Sequence, residues 1–478
     1  MFNSFRNRVS GYSWYPWLIF ISVTTATFMV NVDSSILNIA LPVLEDEFSV
    51  GPQTLQWVIT GYLLIITGVL PTVGKLSDLR GRKGIFIIGL VVFTIGSIFS
   101  AISTTIIQLI AYRVIQGIGG AIMQANVMSI IAYTFPPGSR GKAMGLIGSV
   151  VAAGTIAGPS VGGFLIDQFG WPSIFWVNVP IGLVGMIGSY ILLPSEDRKK
   201  AGDQFDYFGS ITFFVATISL LLFFSNIHTW GWKSLITLSY LLISVIGWIS
   251  FIVREAMVSD PLIELSLFKN PVFTIGNITG LSSYALMMFP SILLPLFLHN
   301  VTHLEILQIG FLMTSQAVTM LIVSPISGWL ADRIGYDLPS LVGMGLSAVG
   351  LWLMGNFNLT TSRMDIIIAL ILFGIGMGFF QSPNNVAVIE SVPVEKTGVT
   401  GGIIATVRNF GRVFGAALAI FLLQIGLKTG NAFNQYANAV SFVFYFGSGF
   451  AFINLLLILG RSVLAKRGKN YAMIRMKK

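Results

Sequence analysis

GKLSDLRG, residues 74–81, returns as GWLADRIG, residues 328–335, after 254 positions. Both read G-x-L-[SA]-D-x-x-G, and both follow a long apolar run. The echo continues in the neighbouring segments. Gly141, Gly145, Gly154 and Gly158 are matched 257 positions later by Gly398, Gly402, Gly411 and Gly415. Gly117-Ile118-Gly119 with Gln124 is matched at the same offset by Gly374-Ile375-Gly376 with Gln381. With 51 glycines in the chain a single match carries no weight. Four matches within one run, together with a shared eight-residue pattern, point to a duplicated half.

The solvent of this chain is lipid. Of 478 residues, 54% are hydrophobic and 10% charged, against about 25% charged in soluble domains. A soluble or disordered chain cannot hide that much apolar surface. Cysteine is absent, so disulfides, thiolate metal sites and thiol nucleophiles are excluded. The three histidines, His228, His299 and His303, fall outside the apolar runs or at their ends. They leave no basis for a metal centre, a cofactor or a membrane enzyme built on His/Asp chemistry. The net charge of +9 would suggest nucleic acid in a soluble protein. Here it reads as the Lys/Arg bias of cytoplasmic loops, with the bilayer as partner and no nucleic acid.

A spanning helix needs about 20 mostly apolar residues. Fourteen runs qualify: 17–40, 53–73, 84–104, 106–133, 142–167, 173–193, 207–226, 233–253, 271–298, 306–330, 339–357, 365–389, 398–427 and 440–461. The first is too long for the core of a secretory signal and is read as a permanent span. An even count returns both termini to one side. That side then carries 22 of the 28 lysines and arginines, so both termini are expected in the cytoplasm. Glu45-Asp46-Glu47 would form the first external loop. Matched runs lie eight spans apart, an even number, so the halves are parallel repeats about an axis along the membrane normal. The expected division is a six-helix bundle over 1–193, inserted helices 7–8 over 194–270, a second bundle over 271–461, and a basic tail over 462–478.

Few charges lie inside the spans. Asp33 reads as the only acid well within one, and an intramembrane carboxylate marks function by default. Counting 1.5 Å per residue puts Asp33 about 24 Å above the inner face and Arg113 about 10 Å below the outer one. Both then sit in the outer third, where a proton-binding acid and a fixed cation are within reach of each other. Arg408 and Arg412 share one face of their helix and either line a cavity or extend toward the cytoplasm. Gly154, Gly158, Pro159, Gly162 and Gly163 leave span 5 a stripe almost free of side chains, suited to close helix packing. The two loop motifs read as paired cytoplasmic latches, carried by Gly74, Asp78, Arg80, Gly81, Arg82, Asp332 and Arg333. Polar and aromatic residues that would line a substrate cavity are Asn38, Trp57, Tyr62, Gln124, Asn126, Gln316, Gln381 and Asn384, with Arg408 and Arg412.

These segments resemble the major facilitator superfamily, and within it the fourteen-span drug:proton antiporters. GKLSDLRGRK (74–83) is similar to the superfamily's loop motif, and LIAYRVIQGIGGA (109–121) to its span 4 motif with a buried arginine. GTIAGPSVGG (154–163) resembles the end of the antiporter motif. NVDSSILNIALP (31–42) and WPSIFWVNVPIG (171–182) resemble the span 1 and span 6 signatures of the drug-exporter branch. Two positions depart from the pattern: Ser34-Ser35 stands for a pair usually ending in threonine, and Pro172 for a common arginine. The resemblance implies an all-α major-facilitator fold in a bacterial cell membrane, working as a monomer. It also implies export of amphipathic, often cationic, drugs in exchange for protons. The alternative is an exporter or flippase of one native metabolite or lipid.

Overall fold

The structure is a computed structural model that describes residues 12–476, apart from 137, 195–204, 232–233, 301–303, 305, 359 and 430–434. The described residues contain fourteen helices long and apolar enough to cross a membrane. The first half contributes α1 (Tyr15–Phe48), α2 (Pro52–Arg80), α3 (Arg82–Ala101), α4 (Ile106–Thr134), α5 (Arg140–Phe169) and α6 (Asn178–Leu192), the last preceded by a single turn at Ser173–Trp176. Then come α7 (Tyr207–Trp230) and α8 (Leu235–Met257). The second half has α9 (Pro271–Asn300), α10 (Ile306–Ile334), α11 (Asp337–Gly355), α12 (Arg363–Glu390), α13 (Thr397–Thr429) and α14 (Gln435–Met476).

The repeat is visible in the packing. In the first half α1 lies on α5 and α6, and α4 lies on α2 and α3. In the second half α9 lies on α13 and α14, and α12 lies on α10 and α11. The halves meet through α5 on α10 and α13 on α2, which are equivalent pairs. The loop motif explains two of the turns. Its last glycine, Gly81 or Gly335, takes φ of +94° or +85°. That left-handed conformation suits glycine and lets one helix stop where the next begins.

The inserted pair forms a hairpin, with Gly247 of α8 against Ala216 of α7. Helix α7 rests on both halves. Phe214 of α7 packs on Gly68 of α2, and the Phe224 ring lies 5.2 Å from that of Phe414 on α13.

Two expectations change. Glu45, Asp46 and Glu47 belong to the last turns of α1 and form no loop. Helix α14 continues past residue 461, so the tail is a helical extension rather than a separate segment. Two further buried acids lie at the ends of the hairpin helices, outside the expected spans, and leave Asp33 as the acid well within one. Glu255, near the end of α8, accepts the Leu262 and Ile263 N–H groups. Asp206, just before α7, accepts from the Gly209 N–H and from Arg254. Both cap backbone at the ends of the hairpin helices, where a short polar run carries no hydropathy signal.

Candidate functional site: a charged network, two latches and a central cavity

Asp33 sits at the meeting point of α1, α4 and α6 and is 3% exposed. Arg113 donates to its Oδ2 at 2.6 Å. Gln116 and Asn178 donate to its Oδ1 at 2.8 and 2.9 Å. Arg113 also donates to the Gln116 Oε1 and to the Val58 carbonyl. Gln116 reaches on to Ser97 of α3. The guanidinium lies 4.0 Å from the centre of the Tyr62 ring, so Tyr62 covers the pair and does not line a cavity. Burying a charge pair is costly unless every lone pair is used, and here the carboxylate accepts three bonds. The sequence reading missed Gln116 and Asn178. Gln116 is three residues after Arg113, a spacing that places both on one helix face. Asn178 is close to Asp33 only through tertiary packing.

The loop aspartates cap helices of the opposite half. Asp78 of α2 accepts the Gly398 and Val399 N–H groups at the start of α13, at 3.0 and 2.9 Å. Asp332 of α10 accepts the Gly141 and Lys142 N–H groups at the start of α5, at 2.7 and 2.8 Å. The first turn of a helix has unpaired N–H groups and a partial positive charge, so a carboxylate there is stabilising. The motif's first glycines allow the close approach. Gly74 lies on the Gly398 carbonyl, and Gly328 on that of Gly141. Arg82 strengthens the first latch, bonding Asp78 on its own side and Val394 and Thr397 on the other. Two expected members take no part. Arg80 is exposed, and Arg333 lies over the ring of Trp329 on its own helix.

Between the halves, at middle depth, is a cavity of about 440 Å³. The latches join the two halves between it and the face that carries most of the lysines and arginines. Gln316, Gln381, Arg408 and Arg412 are among the residues that line it. Gln124 holds Arg408 at its edge. Trp57 is 40% exposed and lies outside the lining. Asn126 bonds Ser77 and the Ile122 carbonyl within the first half. Asn384 bonds Gly276 and Arg461 within the second. The side chains of Asn38, Pro159 and the three histidines lie outside the described residues. Arg461, which hydropathy assigns to the basic side, is buried against Asp337 of α11.

The lining also holds Asn31, Ser34 and Ser35 of α1, Tyr284, Asn385 and six methionines. Methionine reads as a generic core residue in a sequence, so this wall gave no signal. Among the described residues, no aspartate or glutamate lines the cavity.

The span 5 stripe packs on α1. Gly154 meets Asn31 and Phe28, Gly158 meets Ser35 and Ile36, and Gly162 meets Ile36. Gly163 has nothing within 4 Å of where a Cβ would stand and is not part of that contact.

The profile of the Major Facilitator Superfamily matches residues 23–416 and 276–473. The chain belongs to that superfamily. It is therefore a multi-pass membrane transporter. It is 32% identical over 445 residues to the riboflavin transporter RibZ of Clostridioides difficile, covering 92% of this chain and 96% of the relative. It is 30% identical to the tetracenomycin C resistance and export protein of Streptomyces glaucescens, covering 86% and 76%. It is also 30% identical to the multidrug transporter MdtP of Bacillus subtilis, covering 84% and 74%. The proton:xylose symporter XylE superposes with a TM-score of 0.66 at 15% identity, covering 94% of this chain and 96% of the other. That likeness shows the fold alone. Membership in the superfamily accounts for the paired latches, because each half supplies one aspartate to the other.

Proposed function

We propose that this transporter exports amphipathic small molecules across the cell membrane in exchange for protons, with both termini in the cytoplasm. One observation carries the reading. Helix α1 presents Asn31, Ser34 and Ser35 to the cavity and turns Asp33, between them in sequence, into the buried network with Arg113. A cargo and a proton would thus act on opposite faces of one helix. Protonating Asp33 removes its charge and weakens its hold on Arg113. That frees α1 and the glycine stripe beneath it to shift, while breaking the latches opens the cavity to the cytoplasm. The drug-exporting relatives support a broad cargo range, and the mixed polar and methionine lining is consistent with it. The 32% identity to a riboflavin transporter favours the second reading, export of one dedicated metabolite.

Inside-out vesicles test the proposal. An imposed pH gradient, acid inside, should drive uptake of a fluorescent substrate, and a proton carrier should abolish it. Gradient-independent equilibration would overturn proton exchange. Inhibition by riboflavin alone, among a panel of amphipathic drugs, would favour the dedicated exporter.

A further inference from the structure

We infer that the central cavity selects flat organic anions, docked by Arg408 and Arg412 against a methionine wall. The inference deepens the export reading, since it takes this cavity as the cargo site.

Arg82, Arg113 and Arg461 are arginines buried in the helices, and Arg408 and Arg412 are half-buried on the cavity wall. Arg113 is paired with Asp33 at 2.6 Å, Arg82 with Asp78 at 3.1 Å, and Arg461 with Asp337 at 3.1 Å. Each guanidinium taken out of water thus has a carboxylate, as the cost of burying an isolated charge requires. The cavity pair breaks the pattern. Arg408 donates to the neutral carbonyl oxygen of Gln124. No hydrogen bond or ion pair among the described residues reaches Arg412. Both stand one turn apart on α13 and line the same space. Two cations midway along α13 therefore have no carboxylate partner among the described residues, and the cargo is left to supply the anion.

The rest of the lining describes the other end of the cargo. Met128, Met144, Met287, Met288, Met313 and Met320 surround the space. Their sulfurs are polarisable, pack favourably against aromatic rings and adapt to shape. The volume of about 440 Å³ falls in the range that holds a drug-sized molecule. A guanidinium recognises planar oxyanions through two parallel N–H bonds. The chemical class is a fused aromatic ring system bearing a carboxylate or an ionised ring oxygen.

Fluorescein and rhodamine 123 share a xanthene ring system and differ in charge, the first anionic and the second cationic. Their binding to the purified, detergent-solubilised protein is measured by fluorescence anisotropy at pH 8, with protein-free micelles subtracted. Fluorescein should bind at least 10-fold more tightly than rhodamine 123. Arg412→Gln should weaken fluorescein binding about 10-fold or more, as the loss of a charge-assisted bond does, and Arg412→Lys should weaken it less. Rhodamine 123 binding equal to or tighter than fluorescein would overturn the inference. So would Arg412→Gln holding fluorescein within 2-fold of wild type while eluting as a folded monodisperse protein. Binding at equilibrium needs no gradient. Tight fluorescein binding without pH-driven uptake would therefore refute proton exchange and leave the anion site standing. Proton-driven export of rhodamine 123 with no fluorescein binding would do the reverse.

Discussion

Asp33 has three donors on one carboxylate, and Arg113 divides its bonds between that carboxylate, Gln116 and a backbone carbonyl. Removing one partner of such a pair leaves a buried charge alone, at a cost of about 3–5 kcal/mol. Asp33→Asn keeps the shape and removes the titration. It should lower the thermal midpoint of the detergent-solubilised protein and abolish pH-driven uptake in vesicles. Substrate binding should survive, because Asp33 does not line the cavity. Proton release on adding substrate should disappear with it; equal release from wild type and variant would place the coupling acid elsewhere. Arg113→Lys keeps the charge but cannot serve Asp33, Gln116 and Val58 together. Its transport loss should approach that of Asp33→Asn.

At the scale of the helix, α5 comes closest to α1 where its glycines leave no side chain between them. Gly158 sits against Ser35 so closely that any Cβ would overlap the hydroxyl. Overpacking of this kind costs about 1–3 kcal/mol. Gly158→Leu should wedge α5 from α1 and uncouple transport while leaving membrane insertion intact, since the spans themselves remain apolar. Gly163, five residues on, faces open space. Gly163→Leu should insert and transport like wild type. If the two variants behave alike in quantified membrane fractions and in dye uptake, the contact with α1 is not what the glycines serve.

Across the whole molecule, two aspartates hold one face shut. Each neutralises the start of a helix from the other half. Asp78→Asn with Asp332→Asn keeps the size and removes the charge that the helix ends favour, worth about 0.3–1 kcal/mol at each end. Two such losses shift a two-state equilibrium several-fold. The chain has no cysteine, so spin labels can be placed at Arg80→Cys and Glu395→Cys, both exposed. The distance between labels should lengthen or split into two populations in the double Asn variant. An unchanged single distance would show that the glycine crossings alone keep that face closed.

Hydropathy and the doubled loop motif were enough to establish fourteen helices in two parallel halves, because lipid accepts only long apolar segments and a repeat at fixed offset is readable by eye. Asp33 and Arg113 were also legible, since an ionisable residue in an apolar run stands out against everything around it. Gly163 shows where that reasoning stops: it belongs to the motif, but its position around the helix turns it away from α1. Arg461 was invisible for the opposite reason, lying where apolar sequence gives way to basic sequence while the helix continues. Which polar residues face the cavity, which serve as bonds between helices, and that six methionines converge from both halves were decided by tertiary packing alone. A membrane helix is apolar on every side, so its hydrophobic pattern carries no record of which side meets lipid, which a neighbour, and which the cargo.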